Sequence, residues 1–390
     1  MRQRRSSGGR PGRTAAVVLV TAAAAAAAGC GTARTVPTAS ATEARQDDAG
    51  LVTGLGAAHW SFRAPAAIAA AGTKVWVADQ GANAVYELSA RTGALIRIIS
   101  GRRYRLSGPD AIAASGSGVW VASGGSNTVI ELNAATGGLV RVISAPGDRL
   151  SVPTGLAVAG GHVWVASGGS NTVAELSAAT GALIRVVRGA PYRFETLNGV
   201  AAAGGRVWVP SGGASVTEIS AINGGLIRSI GGPRYQFDST VPVAVGGGQV
   251  WVGSSSGSGR PGGAGDGNSV TQLSAATGAP VHVTGPLPSR PMAIAAGDGN
   301  AWVAMNAGAK GSDGGGPHGA VAEISARTGA LIRVISSPRY RVGDPQSVAI
   351  DGGHVWVATA GYPGPGGSVT EISAATGKLI RVVPGGKLSG

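Results

Sequence analysis

Residues 153–187 read PTGLAVAGGHVWVASGGSNTVAELSAATGALIRVV. Short apolar runs alternate with Gly-, Ser- and Asn-rich breaks, the pattern of brief strands joined by tight turns. Four strands are expected: A (Leu156–Ala159), B (His162–Ala166), C (Thr172–Leu176) and D (Leu183–Val187). No break is long enough for a crossover helix, so neighbouring strands must pair antiparallel. Strands A, B and D are nearly continuously apolar, which suits sheets covered on both faces.

The same unit recurs along the chain. Val-Trp-Val-Ala or a near variant surrounds Trp76, Trp120, Trp164, Trp208, Trp251, Trp302 and Trp356, at spacings of 44, 44, 44, 43, 51 and 54 residues. A four-stranded unit repeated seven times points to an all-β fold, a seven-bladed β-propeller of four-stranded antiparallel blades spanning 51–390. The seven indoles are then expected between blades.

Six repeats carry a Glu in C and an Arg ten residues later in D: Glu87/Arg97, Glu131/Arg141, Glu175/Arg185, Glu218/Arg228, Glu323/Arg333 and Glu371/Arg381. In repeat five both change together, to Gln272 and His282. Ten residues around a tight hairpin makes the two side chains cross-strand neighbours, a pair of about 0.2–1 kcal/mol at the outer rim. Residues 51–70 align with 95–114 without a gap, so a degenerate strand D precedes blade one. Because Leu379–Val383 already supplies strand D of the last blade, this extra strand is either redundant or adds outside blade seven.

The repeat resembles the YVTN and NHL propeller families. The residues that carry the resemblance are Ser-Asn-Thr-Val at 126–129 and 170–173, then Glu-Leu, then Ala-Ala-Thr-Gly at 134–137 and 178–181. The Val-Trp-Val-Ala core is similar to that of actinobacterial propeller lipoproteins with no assigned activity. The resemblance covers about residues 63–384 and implies fold far more than function.

Composition agrees with short strands: 68 of 390 residues are Gly and only 4% are aromatic. The N-terminal segment reads as an export leader over residues 1–29. A basic stretch ends at Arg13, and an apolar run, Ala15–Ala28, is broken only by Thr21. That run falls short of the about 20 apolar residues that span a bilayer. It ends at Ala27-Ala28-Gly29-Cys30, which resembles a bacterial lipobox, with Ala27 departing from the usual Leu. The resemblance implies a diacylglyceryl group on Cys30, so the membrane is an expected partner. Residues 30–50 have no hydrophobic period and read as a flexible tether. The expected location is the cell envelope, on the extracytoplasmic face of the cytoplasmic membrane. Cys30 is the only cysteine, which excludes an internal disulfide.

Without the leader the chain holds 27 basic and 19 acidic residues. That balance favours anionic partners over cationic ones. No basic helix or nucleic-acid motif accompanies it, so nucleic acid is not an expected partner. A monomer is expected.

Propellers bind at the channel mouth, on the face of the D-to-A and B-to-C loops. Four D-to-A loops repeat an Arg/Tyr motif: GRRYRL (101–106), APYRF (190–194), PRYQF (233–237) and PRYRV (338–342). Arg103, Tyr104, Arg105, Tyr192, Arg193, Arg234, Tyr235, Arg339, Tyr340 and Arg341 are therefore the candidate ligand-binding residues, suited to sugars, carboxylates or phosphates. Tyr and the apolar residue two positions on should face the same way, with Phe194 and Phe237 pointing inward. Asp110, Thr154, Asn198 and Gln346 open strand A and are expected to line the channel. The B-to-C loops of blades five and six are the longest, at 253–268 and 306–319, and carry Asp266, Asp313 and His318.

These features favour a secreted, lipid-anchored binding or scaffolding protein, with an envelope glycan, anionic polymer or protein as ligand. The alternative is a lyase or lactonase with a channel metal, like virginiamycin B lyase or the regucalcin-like lactonases. The histidines and acids here do not match those motifs, and no nucleophile elbow or phosphate loop is present. No cofactor, catalytic residue or metal ligand is assigned.

Overall fold

The computed structural model describes residues 51–53, 60–145, 147–212, 214–255, 267–306, 319–361 and 366–384. Seven four-stranded antiparallel blades form a ring: residues 65–99, 109–144, 153–187, 201–231, 239–287, 291–335 and 345–384. This is a seven-bladed β-propeller. In blade three the strands are Pro153–Ala159, His162–Ser167, Thr172–Ser177 and Leu183–Val187. Each agrees with its expected position within a few residues. Strands A of successive blades touch one another around the centre, so A is innermost and D outermost.

One register governs every blade. In blade three Ala157 pairs with Trp164, Trp164 with Glu175, and Glu175 with Arg185. The same Ala–Trp–Glu–Arg row crosses blades one, two, four, six and seven, and blade five reads Ala244–Trp251–Gln272–His282. The row faces the following blade. Trp120 packs with Leu156, Val158 and Val163 of blade three, and Trp356 packs with Ile68 and Val75 of blade one. All seven row indoles are at most 1% exposed. Ala beside each Trp is what lets the indole lie flat between two sheets.

The Glu/Arg pair is cross-strand as expected, but it is not at the rim. Glu87, Glu175, Glu218 and Glu371 are fully buried because the next blade covers them. Each Arg places its Nε 2.6–2.8 Å from its Glu. The guanidinium then reaches the C-to-D turn of the next blade: Arg141 Nη2 donates to Ala179 O, Arg185 Nη2 to Ile222 O, and Arg381 Nη2 to Arg91 O. The last bond joins blade seven to blade one. The pair is thus a blade-to-blade staple, and a buried carboxylate that loses its cation is costly.

On the loop face, Asn83, Asn127 and Asn171 adopt left-handed backbone, which Asn tolerates. Their Oδ1 atoms accept from Gly108 N, Val152 N and Leu197 N in the next D-to-A loop. This gives the Ser-Asn-Thr-Val motif a physical role. The end of strand B closes the same loops from within its own blade: buried Asp79 accepts from Arg63 N and Ala64 N, and Ser123 Oγ from Ser107 N.

Ring closure departs from the expectation. Leu51–Thr53 pairs with Ile99, Ile98 and Arg97, so the extra strand adds outside blade one, not blade seven. An antiparallel strand can only join a free edge, and strand D of blade one is the edge nearest in sequence. Blade seven is completed by Leu379–Pro384, so each blade is one continuous stretch of chain.

Candidate functional site

The D-to-A loops begin where strand D ends and carry the chain back to the channel. In three of them the Arg/Tyr motif folds into a short 3-10 turn: Arg102–Tyr104, Pro233–Tyr235 and Pro338–Tyr340. The residue after each turn is left-handed: Arg105 at φ 52°, Gln236 at 51° and Arg341 at 50°, with Arg193 at 49° in the fourth loop.

The tyrosines turn inward. Tyr104, Tyr235 and Tyr340 are buried, and Tyr192 is half-buried. Tyr192 stacks on Phe194 and Tyr235 on Phe237, each at 5.5 Å, so the two residues do share a side. Phe194 is buried and Phe237 half-buried. The phenol hydroxyls of Tyr192 and Tyr340 donate to Gly224 O and Gly377 O of the next blade. The outer ring faces are covered by arginines of the motif: Arg103, Arg234 and Arg339 lie 4.7, 4.8 and 5.0 Å above their tyrosines. Tyr104, Tyr235 and Tyr340 therefore have no free ring face for stacking on a sugar. Thr217, Thr271 and Thr370 in strand C donate to the carbonyls of Tyr192, Tyr235 and Tyr340, fixing each loop to the blade beneath.

The arginines stay outside. Arg103, Arg105, Arg193, Arg234, Arg339 and Arg341 are all exposed. With Arg63, Arg102, Arg149 and Arg188 they make ten exposed arginines among the D-to-A loop residues whose side chains are described, against two exposed acids, Glu195 and Asp238. Guanidinium groups held by short, stitched loops form an anion-attracting rim.

The expected channel residues are mostly tied to the protein. Asp110 is buried and accepts from Gln80 Nε2 at 2.6 Å. Thr154 Oγ1 donates to Leu197 O, in the loop that leads into blade four, at 2.9 Å. Asn198 and Gln346 donate to the nearby carbonyls of Thr196 and Asp344. Burial holds the Asp344 carboxyl above the usual carboxylate range. Among the described residues no three His, Cys, Asp or Glu side chains lie together as a metal ion requires. His162 and His354 begin strand B and place Nδ1 2.7 Å from Glu175 and Glu371. Asp266, Asp313, His318 and Cys30 lie outside the described residues.

The opposite face, of A-to-B and C-to-D turns, holds hollows that the sequence reading did not anticipate. One of about 640 Å³ runs between blades three, four and five past Arg206 and Trp208. Another of about 360 Å³ lies between blades seven and one, beside Arg91, His354 and Trp356. The wall of the larger is mostly Gly and Ala, whose functional signal in a sequence is nil. The repeated residue opening strand B was the available clue.

No family model matches the chain, and no curated protein matches it. Solved structures do. The computationally designed Ika8 protein aligns over 84% of this chain and 89% of its own, with TM-score 0.59 and 17% identity. Hydrazine synthase of Kuenenia stuttgartiensis aligns over 81% of this chain and 97% of its own, with TM-score 0.62 and 16% identity. At such identities the likeness is one of fold alone.

Proposed function

We propose that this chain is a propeller lipoprotein of the YVTN/NHL type, exported and held by a lipid on Cys30. In this reading its D-to-A face binds an anionic polymer of the cell envelope. The observation that carries the reading is the asymmetry of exposed charge among the D-to-A loop residues whose side chains are described, ten arginines against two acids. Concentrating like charge on one rim costs self-repulsion, and the same charges scattered would serve solubility equally well. The burial of the tyrosines shifts the reading from sugar stacking toward pairing with carboxylate or phosphate. The lipid on Cys30 would leave the tether of residues 30–50 to set the reach of the ring from the membrane.

The test is binding of envelope polymer extracts by the full chain and by a variant with Arg105, Arg193 and Arg341 all changed to Ala. Binding is expected to weaken by tenfold or more at low ionic strength, and what remains should depend less on salt. Unchanged binding by the triple variant sinks the reading. Membrane partition of Cys30→Ala tests the anchor separately, and release into the medium is the expected result.

A further inference from the structure

The residue that opens strand B decides what sits on the second oxygen of each buried Glu. In blade one it is Lys74. Its Nζ lies 2.7 Å from Glu87 Oε1, donates to Ala134 O and Ala135 O at 2.5 and 3.1 Å, and sits 5.6 Å from the centre of the Trp76 ring. A carboxylate, two carbonyls and an indole thus enclose one ammonium. Blades three and seven place His162 and His354 on this oxygen, blade four Arg206, and blade six the Asn300 amide. Blade five has no charge to neutralise, since Gln272 replaces the Glu.

Blade two keeps the enclosure and lacks the occupant. Glu131 is present, with Arg141 Nε 2.6 Å from Oε2. Trp120 is its row neighbour. The turn of blade three is also in place, because Arg141 Nη2 reaches Ala179 O at 3.1 Å just as Arg97 Nη2 reaches Ala135 O at 3.4 Å. Strand B, however, opens with Gly118. Among the described residues Glu131 Oε1 has no ion-pair or hydrogen-bond partner. The Glu131 side chain is 11% exposed, where the other five row glutamates are at most 2%. Oε1 is thus the solvent-reached side of a largely buried carboxylate, an open position for a cation beside the indole.

We propose that blade two presents an ammonium-binding subsite on the turn face, built from Glu131 Oε1, the Trp120 indole and the carbonyls of Ala178 and Ala179. Its ligand is a primary alkylammonium group from outside the blade, occupying the place that Lys74 Nζ holds in blade one. Three N–H donors match one carboxylate oxygen and two carbonyls, and the ring adds attraction for the charge. The way in is open, since Lys74 itself is 23% exposed in the equivalent position. Burial raises the Glu131 carboxyl above its ordinary range against the pull of Arg141, so the subsite should lose affinity as pH falls. This subsite is on the face opposite the arginine ring and stands or falls independently of it.

The experiment is ligand-observed NMR titration of the full chain with n-butylammonium at constant chloride. Saturable binding in the range of about 1–10 mM is expected for a single ammonium contact. Tetramethylammonium, which has the charge and no N–H, should bind at least tenfold more weakly. Glu131→Gln should weaken n-butylammonium at least tenfold. Gly118→Lys should abolish binding by filling the place from within. A Cβ at Gly118 would meet Trp120 Nε1 at 3.0 Å and Glu131 Oε1 at 3.3 Å, so the indole and the carboxylate must both yield slightly, and Lys74→Gly supplies a second check by creating a second site of equal affinity. Binding of Nα-acetyl-lysine amide with equal strength would assign a protein lysine as the ligand, and binding of n-butylammonium alone a small free amine. Absence of saturable binding, equal binding of tetramethylammonium, or full retention in Glu131→Gln overturns the proposal.

Discussion

The Ala–Trp–Glu–Arg row and the D-to-A loops recur with the same period and answer to different pressures. The row keeps its residue types in six of seven blades, and blade five changes Glu and Arg together. Each member meets the same neighbour in the next blade, so a lone change breaks a staple that closes the ring. The loops keep only what fixes their backbone: an inward Tyr or aliphatic residue, an Asn bond from the preceding blade, and the polar end of strand B. What projects from them is free to vary, and it is there that arginines gather. Periodic residues thus hold the propeller, and departures from the period mark where it can act. Gly118 in blade two is such a departure.

The same contrast explains what could be read in advance. Blade number, strand order and the Glu175–Arg185 register were legible because period and spacing are properties of the sequence itself. The burial of Glu175 was not, because its cover comes from the neighbouring blade, which no local pattern reports. The placement of Leu51–Thr53 on blade one, where a redundant strand or an addition to blade seven was expected, was missed for a similar reason: its apolar residues fit any free strand D. The loop tyrosines were ambiguous because an aromatic ring in an Arg-rich loop suits a ligand or a core equally. Only the bond from Tyr340 Oη to Gly377 O and the packing of Arg339 over the ring decide for the core.

Breaking the row should have the largest effect. Trp164→Ala empties a fully buried site between blades three and four and should cost about 3–5 kcal/mol in urea unfolding. An effect below about 1 kcal/mol would mean that the blades are not stacked through these indoles.

A smaller effect is expected with pH. Burial raises the carboxyl of Glu323 more than Arg333 lowers it, and the same holds for Glu131, Glu175 and Glu371. A folded-state value above the unfolded one means that the native protein binds the proton more tightly. The stabilisation is therefore complete below the ordinary 4.5 and is lost as pH rises through the raised value. Through these groups the unfolding midpoint should increase as the solution is acidified from neutrality toward about pH 4.5, opposite to the usual acid lability. Glu323→Gln should make that slope shallower, since the amide cannot titrate and still accepts from Asn300. An unchanged slope in this variant would show that Glu323 titrates as it does in the unfolded chain.

The smallest effect belongs to the loops, and it separates holding from acting most sharply. Arg341 sits at φ 50°, a region that costs a non-Gly residue about 1–2 kcal/mol. Arg341→Gly relieves that cost and loses about 0.4–1 kcal/mol through the freer unfolded chain. Arg341 is exposed, and the hydrogen bonds at this position are backbone ones that survive the change: its N–H donates to Pro338 O and its carbonyl accepts from Ser368 Oγ. Stability should therefore rise by up to about 1 kcal/mol while binding of anionic polymer falls. A residue that strains the backbone and makes no side-chain bond among the described residues is most simply retained for what it meets outside the fold. If Arg341→Gly is more stable and binds as well as the parent chain, the arginine at this position answers neither to the fold nor to the ligand, and the case for the ring must rest on Arg105 and Arg193.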